Sequence, residues 1–296
     1  MRNGIAAARL LVAWLIVVLP GRGAIGQAAQ QEPLLTARHM SANASVKVFN
    51  PAGAVRLVGW NRDSLEVHGR VSPRKRYYAS GDSNGVKLGV EEAGTSESPA
   101  HGDITIRLPR LARVAVKTVN GDIDATDVAG WFYTIAGAVR LDGTASSIEV
   151  ESMRGDVELR VAAPWLRARA GAGRVLLRGA TPDVDVSTIS GALEVAGSAI
   201  MRGQFTSVSG DIAFAGAPAA GAILDFSNHS GAVDFVWPRS VAGTFALSTV
   251  TGTIVNGFTA LRPVSQAERS VKFSIGRGGA DVTVRTFKGT IRVRPE

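Results

Sequence analysis

Three aspartates occupy the same place in a repeated pattern: Asp122, Asp156 and Asp211 each follow directly on a glycine, in NGDI, RGDV and SGDI. Carboxylates clustered at a fixed step are what a chain needs to hold calcium or to run acid–base chemistry on a polysaccharide. A second set is basic. Arg160, Arg167, Arg169, Arg174 and Arg178 fall in the stretch between Glu158 and Asp183, which contains no acidic residue. Guanidinium groups bind phosphate and carboxylate in bidentate fashion, so these five arginines are the candidate site for a polyanion. The four histidines (His39, His68, His101, His229) are scattered and form no HxH or HExxH spacing, and there is no cysteine. Thiol catalysis, disulfides and a Cys-based zinc site are therefore excluded. No phosphate loop or dinucleotide fingerprint is present, so no catalytic residue, metal or cofactor is read from the chain.

These residues must be positioned by a repeat. Nine glycines act as pivots: Gly121, Gly137, Gly155, Gly173, Gly191, Gly210, Gly231, Gly252 and Gly289, spaced by 16, 18, 18, 18, 19, 21, 21 and 37 residues. A period near 18 is the mark of a solenoid, in which each short unit buries a face only by stacking on its neighbours. The last interval reads as two steps with one degenerate copy between. Two residues after each pivot the side chain is always aliphatic, from Ile123 to Ile291, and four after it eight of nine are apolar. Mostly polar or small residues alternate with them, which predicts a strand with one buried face. Five residues before the pivot all nine are apolar, and three before it lies a column of small hydroxyls broken at Ala170 and Asn228. Apolar residues also stand two before the pivot, at the wrong parity for one strand face. That predicts a bulge or corner there, with the glycine supplying positive φ. The hydroxyl column reads as a ladder filling a narrow interior.

With coils about 4.8 Å apart, Asp122 and Asp156 stand two coils, or about 10 Å, from each other. That forms no acid cluster, and capping of turn N–H groups is the better reading. Arg160 and Arg178 hold equivalent places on adjacent coils, with Asp142 one coil earlier as an available partner. Trp60, Trp131, Trp165 and Trp237 could stack on sugars. They sit in unrelated columns, however, which predicts core or rim packing.

Residues 1–26 read as a secretory signal: Arg2 and Arg9, then the apolar Leu10–Leu19, then Ala24-Ile25-Gly26 as a small-x-small cleavage site. Ten apolar residues fall short of the roughly 20 that span a bilayer as a helix. The chain carries a formal charge of +8, and removing Arg2, Arg9 and Arg22 leaves +5. Residues 27–40 read as a flexible lead-in and 41–296 as one domain, with an N-terminal β region over 41–115 and the repeat array over 116–296. Within the first region Gly53 resembles a pivot, and Ser72–Pro99 is expected to be a loop with one short strand near Val86–Val90. Gly276–Gly279 is expected to be a bend before two closing strands. The fold class is all-β: a single-domain β-solenoid, a β-helix-like stack of short coils.

The repeated units, most specifically VNGDI at Val119–Ile123, VSGDI at Val208–Ile212 and the closing TFKGTIRV, resemble the bacterial putative-adhesin domains of unknown function, over roughly residues 41–296. That resemblance implies an exported β-solenoid-like protein and supplies no catalytic residues. At AGAGRV the chain departs from the pattern, with Arg174 after the glycine. The function expected is a non-catalytic, exported solenoid at the periplasm, cell surface or outside the cell. It would present a rigid surface to an anionic envelope glycan or another envelope protein, and not to nucleic acid. The alternatives are a polysaccharide-acting β-helix enzyme and an envelope-stress or scaffolding partner of a membrane protein.

Overall fold

The structure, a computed structural model, describes residues 32–72, 75–92, 101–258 and 265–296. The signal sequence read over residues 1–26 lies outside them. The described residues form 26 strands and no helix.

Each repeat unit is one coil of two strands. In the Gly155 coil, Ile148–Ser152 runs into the pivot and Val157–Ala162 leaves it, with burial alternating along both. The apolar columns five before and two and four after each glycine all turn inward. Val150, Val157 and Leu159 are almost fully buried, as are their equivalents from Val116 through Val293 except in the Gly252 coil, where Ile254 and Asn256 are half-buried. Successive coils pair in parallel, Val157 opposite Val175 and Ile148 opposite Leu166, and the register shifts only where Leu193–Ser207 meets Ala217–Asn228, around Ile200. The result is two facing sheets around one narrow core. Where the intervals lengthen to 19 and 21 residues, the core switches to rings. Phe205, Phe214, Phe226, Phe235 and Trp237 are buried and contact one another with centroids 4.7–6.2 Å apart. The wider coils accommodate aromatic volume, and offset or edge-on pairs add to the burial.

The glycines have a different reason from the expected one. Among the pivots only Gly53 has positive φ. At Gly155 a Cβ would overlap the backbone carbonyl of Gly137, Gly173 would meet Gly155, and Gly191 would meet Gly173. The pivots are a staircase of backbone touching backbone, with no room for a side chain. Positive φ belongs to other bends, including Gly276, Gly278 and Gly279, where the expected bend is found.

Coil order departs from chain order at both ends. The closing strands Ala280–Thr286 and Ile291–Pro295 do not stack last. They insert between the Gly231 coil on one side and the Gly252 coil on the other. Among its described residues the 37-residue interval therefore contains no degenerate copy. It holds an antiparallel cap, Ser270–Ile275 on Gly243–Thr249, followed by the return into the stack. At the other end the Gly53 coil lies between the coils of Gly102 and Gly121. The pivots thus stack in the order 102, 53, 121, 137, 155, 173, 191, 210, 231, 289, 252.

Two further expectations change. The lead-in read over residues 27–40 becomes a strand, Glu32–His39, antiparallel to Ser64–Val71. The loop read over Ser72–Pro99 contains a hairpin, Lys75–Gly81 with Gly85–Glu92. These antiparallel pieces cover the parallel edges of the first coil, and Glu32–His39 and Lys75–Gly81 become the outermost strands there.

Candidate functional site

The acidic column lies along the pivot corner, and each carboxylate there is tied to the backbone. Asp122 Oδ1 accepts the N–H of Ala138, Asp156 that of Arg174, and Asp211 that of Ala232, each at 2.8 Å. Asp103 accepts that of Ala54 at 2.9 Å. Each aspartate reaches the residue in its own position one coil further along the stack. It links coils where a small or basic residue offers only an N–H. Among the described residues no group of three His, Asp or Glu side chains converges to hold a metal.

The hydroxyl column is interior. Thr118, Thr134, Ser152 and Ser207 are buried, and Ser207 shows why the type is needed. Its Oγ donates to the Gly210 carbonyl at 2.8 Å, accepts the Gly210 N–H at 2.9 Å, and accepts the Thr188 hydroxyl at 3.1 Å. At the two asparagines an amide does the same work: Asn228 Nδ2 donates to Gly210 at 3.0 Å and Asn50 Nδ2 to Gly102 at 2.6 Å. A hydroxyl or amide three residues before a tight corner satisfies backbone groups that no ladder reaches. Ser207→Ala should therefore cost about 1–3 kcal/mol, because it strands a buried N–H, while exposed Asp156→Ala should cost about 1 kcal/mol or less. Urea titrations of the two variants check the order.

The five arginines are not brought together. Arg160, Arg174 and Arg178 lie on or beside the strands Val157–Ala162 and Val175–Ala180 of one sheet, Arg167 and Arg169 on Trp165–Ala170 of the other. Arg160 and Arg178 are register partners, as their spacing predicts. Arg160 is nonetheless held by Glu158 and lies 3.9 Å from Asp142. Arg167 pairs with Asp185 at 3.1 Å and Glu149 at 4.0 Å, and Arg174 with Glu194 at 3.4 Å. Arg140, between Asp122 and Asp124, is held further toward its charged form, chiefly by its hydrogen bond to Asp124. Arg174 joins Arg140 and Arg154 around a shallow depression of about 480 Å³ that also exposes Asp156 and Glu158. The pairs of Arg140, Arg160 and Arg174 reach solvent, so each contributes about 1 kcal/mol at most, while those of Arg167 are half-buried.

The tryptophans divide. Trp237 is core, its indole N–H donating to Val241 at 2.9 Å. Trp60 sits at the rim with Arg62 over its ring. Trp131 faces outward, contrary to the packing expected of it. It stands two residues from Tyr133 on the outer side of Ala129–Thr134, while Phe132 between them is buried. The two rings stack, centroids 5.6 Å apart at 22°. The sequence does hold the signal, a WFY run whose outer members take the two outward places of one coil, but a column-by-column comparison passes over it.

No curated protein matches the chain. A solved structure named a putative adhesin, from Bacteroides fragilis NCTC 9343, is 12% identical, covers 90% of this chain and 98% of its own, with a TM-score of 0.45. A putative adhesin from Parabacteroides merdae ATCC 43184 is 9% identical over 88% and 96%, with a TM-score of 0.44. A putative cell adhesion protein from Clostridium sporogenes ATCC 15579 is 10% identical over 90% and 100%, with a TM-score of 0.26. The sequence pattern of one family runs through the glycine staircase from the first coil to the last, matching residues 45–294, and the chain belongs to that family, Toastrack DUF4097.

Proposed function

We propose that the protein is a non-catalytic, exported, adhesin-like module that offers rigid sheet faces to envelope or extracellular macromolecules. One observation carries this reading: the side chains best suited to chemistry are committed to the scaffold. The aspartates cap the next coil, the hydroxyls fill the interior, and four of the five charged groups around the Gly155 depression are paired with neighbouring side chains or with backbone. Stacked coils give long, flat and stiff surfaces, which suit binding and not the mobile closure of an enzyme. Arg160, Arg174 and Arg178, on or beside two adjacent strands of one sheet, would meet an anionic polymer there, and binding should weaken as salt screens it.

The test is a binding screen of the mature chain against anionic and neutral envelope glycans at two salt concentrations, with product analysis. Binding without cleavage is the expected result. Depolymerisation that disappears in Asp122→Ala or Asp156→Ala would replace this reading with the polysaccharide-acting enzyme. Folded Arg160→Ser/Arg174→Ser/Arg178→Ser protein with unchanged affinity for an anionic glycan would retire the arginines as a site.

A further inference from the structure

The sheet opposite Arg160 and Arg178 carries on its outer face a cluster of aromatic rings that the core does not use. Trp131 and Tyr133 are stacked and half-exposed, and the Lys117 ammonium lies 5.6 Å from the Tyr133 centroid. Phe49 follows Lys117 in register on the next strand and is 38% exposed. Beyond it the row meets Gly89, whose missing side chain makes room for the Tyr78 ring from the antiparallel strand. Opposite Trp131 on the neighbouring strand stands Ala115, so only a methyl rises beside the indole on that side. Exposed rings left in a row on a flat sheet are a cost in water unless something covers them, at about 25 cal/mol per Å².

The charges around the rings select the occupant. On one flank stand Lys47 and Lys117, and on the other Glu149 and Glu151, the register partners of Trp131 and Tyr133, backed on the next strand by Arg167 and Arg169, so the charges around the rings are mixed. A phosphate backbone drawn to Lys117 would meet two carboxylates two strand spacings, about 10 Å, away. A neutral polyol has the matching chemistry. Its hydroxyls donate to Glu149 and Glu151, its oxygens accept from Lys117, and the C–H face of a sugar ring lies on an aromatic face. Burial and the nearby Glu91 raise the Tyr78 hydroxyl above the usual tyrosine range, which keeps it a neutral donor.

The geometry points to a binding site for a neutral glycan strand on this face, with the Trp131–Tyr133 pair as its platform and Phe49 and Tyr78 extending it across the strands. The inference rests on the reading of the chain as a non-catalytic binding module and supplies that module with a ligand class and a face.

The experiment titrates the mature chain with linear hexasaccharides of β-1,4-linked glucose, β-1,4-linked N-acetylglucosamine and mannose, read by calorimetry and indole fluorescence. At least one should bind. Trp131→Ala and Tyr133→Ala should each weaken it about tenfold or more, a loss of about 1.4 kcal/mol. Arg292→Ser on the other sheet should leave it unchanged, and raising the salt should change affinity by no more than about twofold, because no net charge is neutralised. Circular dichroism confirms that the variants fold, and Glu149→Gln, which keeps the shape, should weaken binding as well. If no hexasaccharide binds, or folded Trp131→Ala and Tyr133→Ala bind as the parent does, the site is refuted. Steeply salt-dependent binding of oligothymidylate through the same residues would refute it in favour of nucleic acid. Cleavage of the sugar would instead refute the non-catalytic reading, and Arg178-dependent capture of anionic polymer without hexasaccharide binding would refute this inference alone.

Discussion

Deletion of Ala280–Glu296 is expected to abolish the cooperative fold of the whole C-terminal part of the stack, and not simply to shorten it by a coil. The deleted strands lie in the interior of the stack, between the coils of Gly231 and Gly252. Val282, Val284, Ile291 and Val293 are buried, and at about 1.5–3 kcal/mol each their loss is on the order of 6–12 kcal/mol. That is comparable with the entire stability of an ordinary domain. Gly243–Thr249 would keep its antiparallel cap and lose its parallel partner. In a solenoid stacked in chain order the same deletion would remove one terminal unit and leave its neighbours largely intact. Hydrogen exchange distinguishes the two, because loss of amide protection over Val233–Trp237 and Gly243–Thr249 is the expected result. Retention of protection there, with a melting temperature within a few degrees of the parent, would mean that the Gly252 coil can dock directly on the Gly231 coil.

The second large effect concerns a single methyl group. Gly155→Ala should destabilise the protein by more than about 3 kcal/mol, in the range reserved for severe mechanisms. The added Cβ meets the carbonyl of Gly137 and the amide nitrogen of Ala138, which are backbone atoms with no rotamer to change. Relief requires the coils to separate, which breaks ladder hydrogen bonds on both sheets. Two other glycines calibrate the effect. Gly278 has φ +69° with nothing near its Cβ position, so alanine there should cost only the left-handed penalty of about 1–2 kcal/mol. Gly85 has open space and no positive φ, and alanine should be within about 0.5 kcal/mol of neutral. Thermal unfolding of the three variants should rank them in that order. Equal shifts at Gly155 and Gly278 would show that conformational freedom, and not close approach, is what the pivot needs.

Both expectations show where sequence reading reached and where it stopped. The coil was legible because its determinants are local. Alternation at Val157 and Leu159, the small hydroxyl three residues before the pivot and the aspartate just after it each act within a few residues or on the identical position of a neighbour. A repeat therefore displays them in register. The same locality made the cause of the glycines ambiguous. A conserved place for glycine in a repeat fits positive φ and close approach equally well, and only the Gly137 carbonyl beneath Gly155 separates them. The arginines show the limit for surfaces. Spacing correctly paired Arg160 with Arg178, but which sheet each side chain leaves from, and whether Glu158 or Glu194 reaches it, depends on the corners between strands. Trp131 and Tyr133 became a pair only when Phe132 was seen to take the inward place between them.

By itself the sequence determined the strand-and-corner unit, its period, its all-β class and the inward columns. These follow from side-chain parity and from backbone groups that must be satisfied at every corner. The order of the coils was decided only by the tertiary structure. Every coil presents the same parallel edge of N–H and C=O groups above and below, so the ladder cannot tell which neighbour in space was the neighbour in the chain. That choice rests on longer-range constraints. The antiparallel caps Ser64–Val71 and Ser270–Ile275 close the two ends, and the returning strands Ala280–Thr286 and Ile291–Pro295 find apolar partners on both sides only inside the stack.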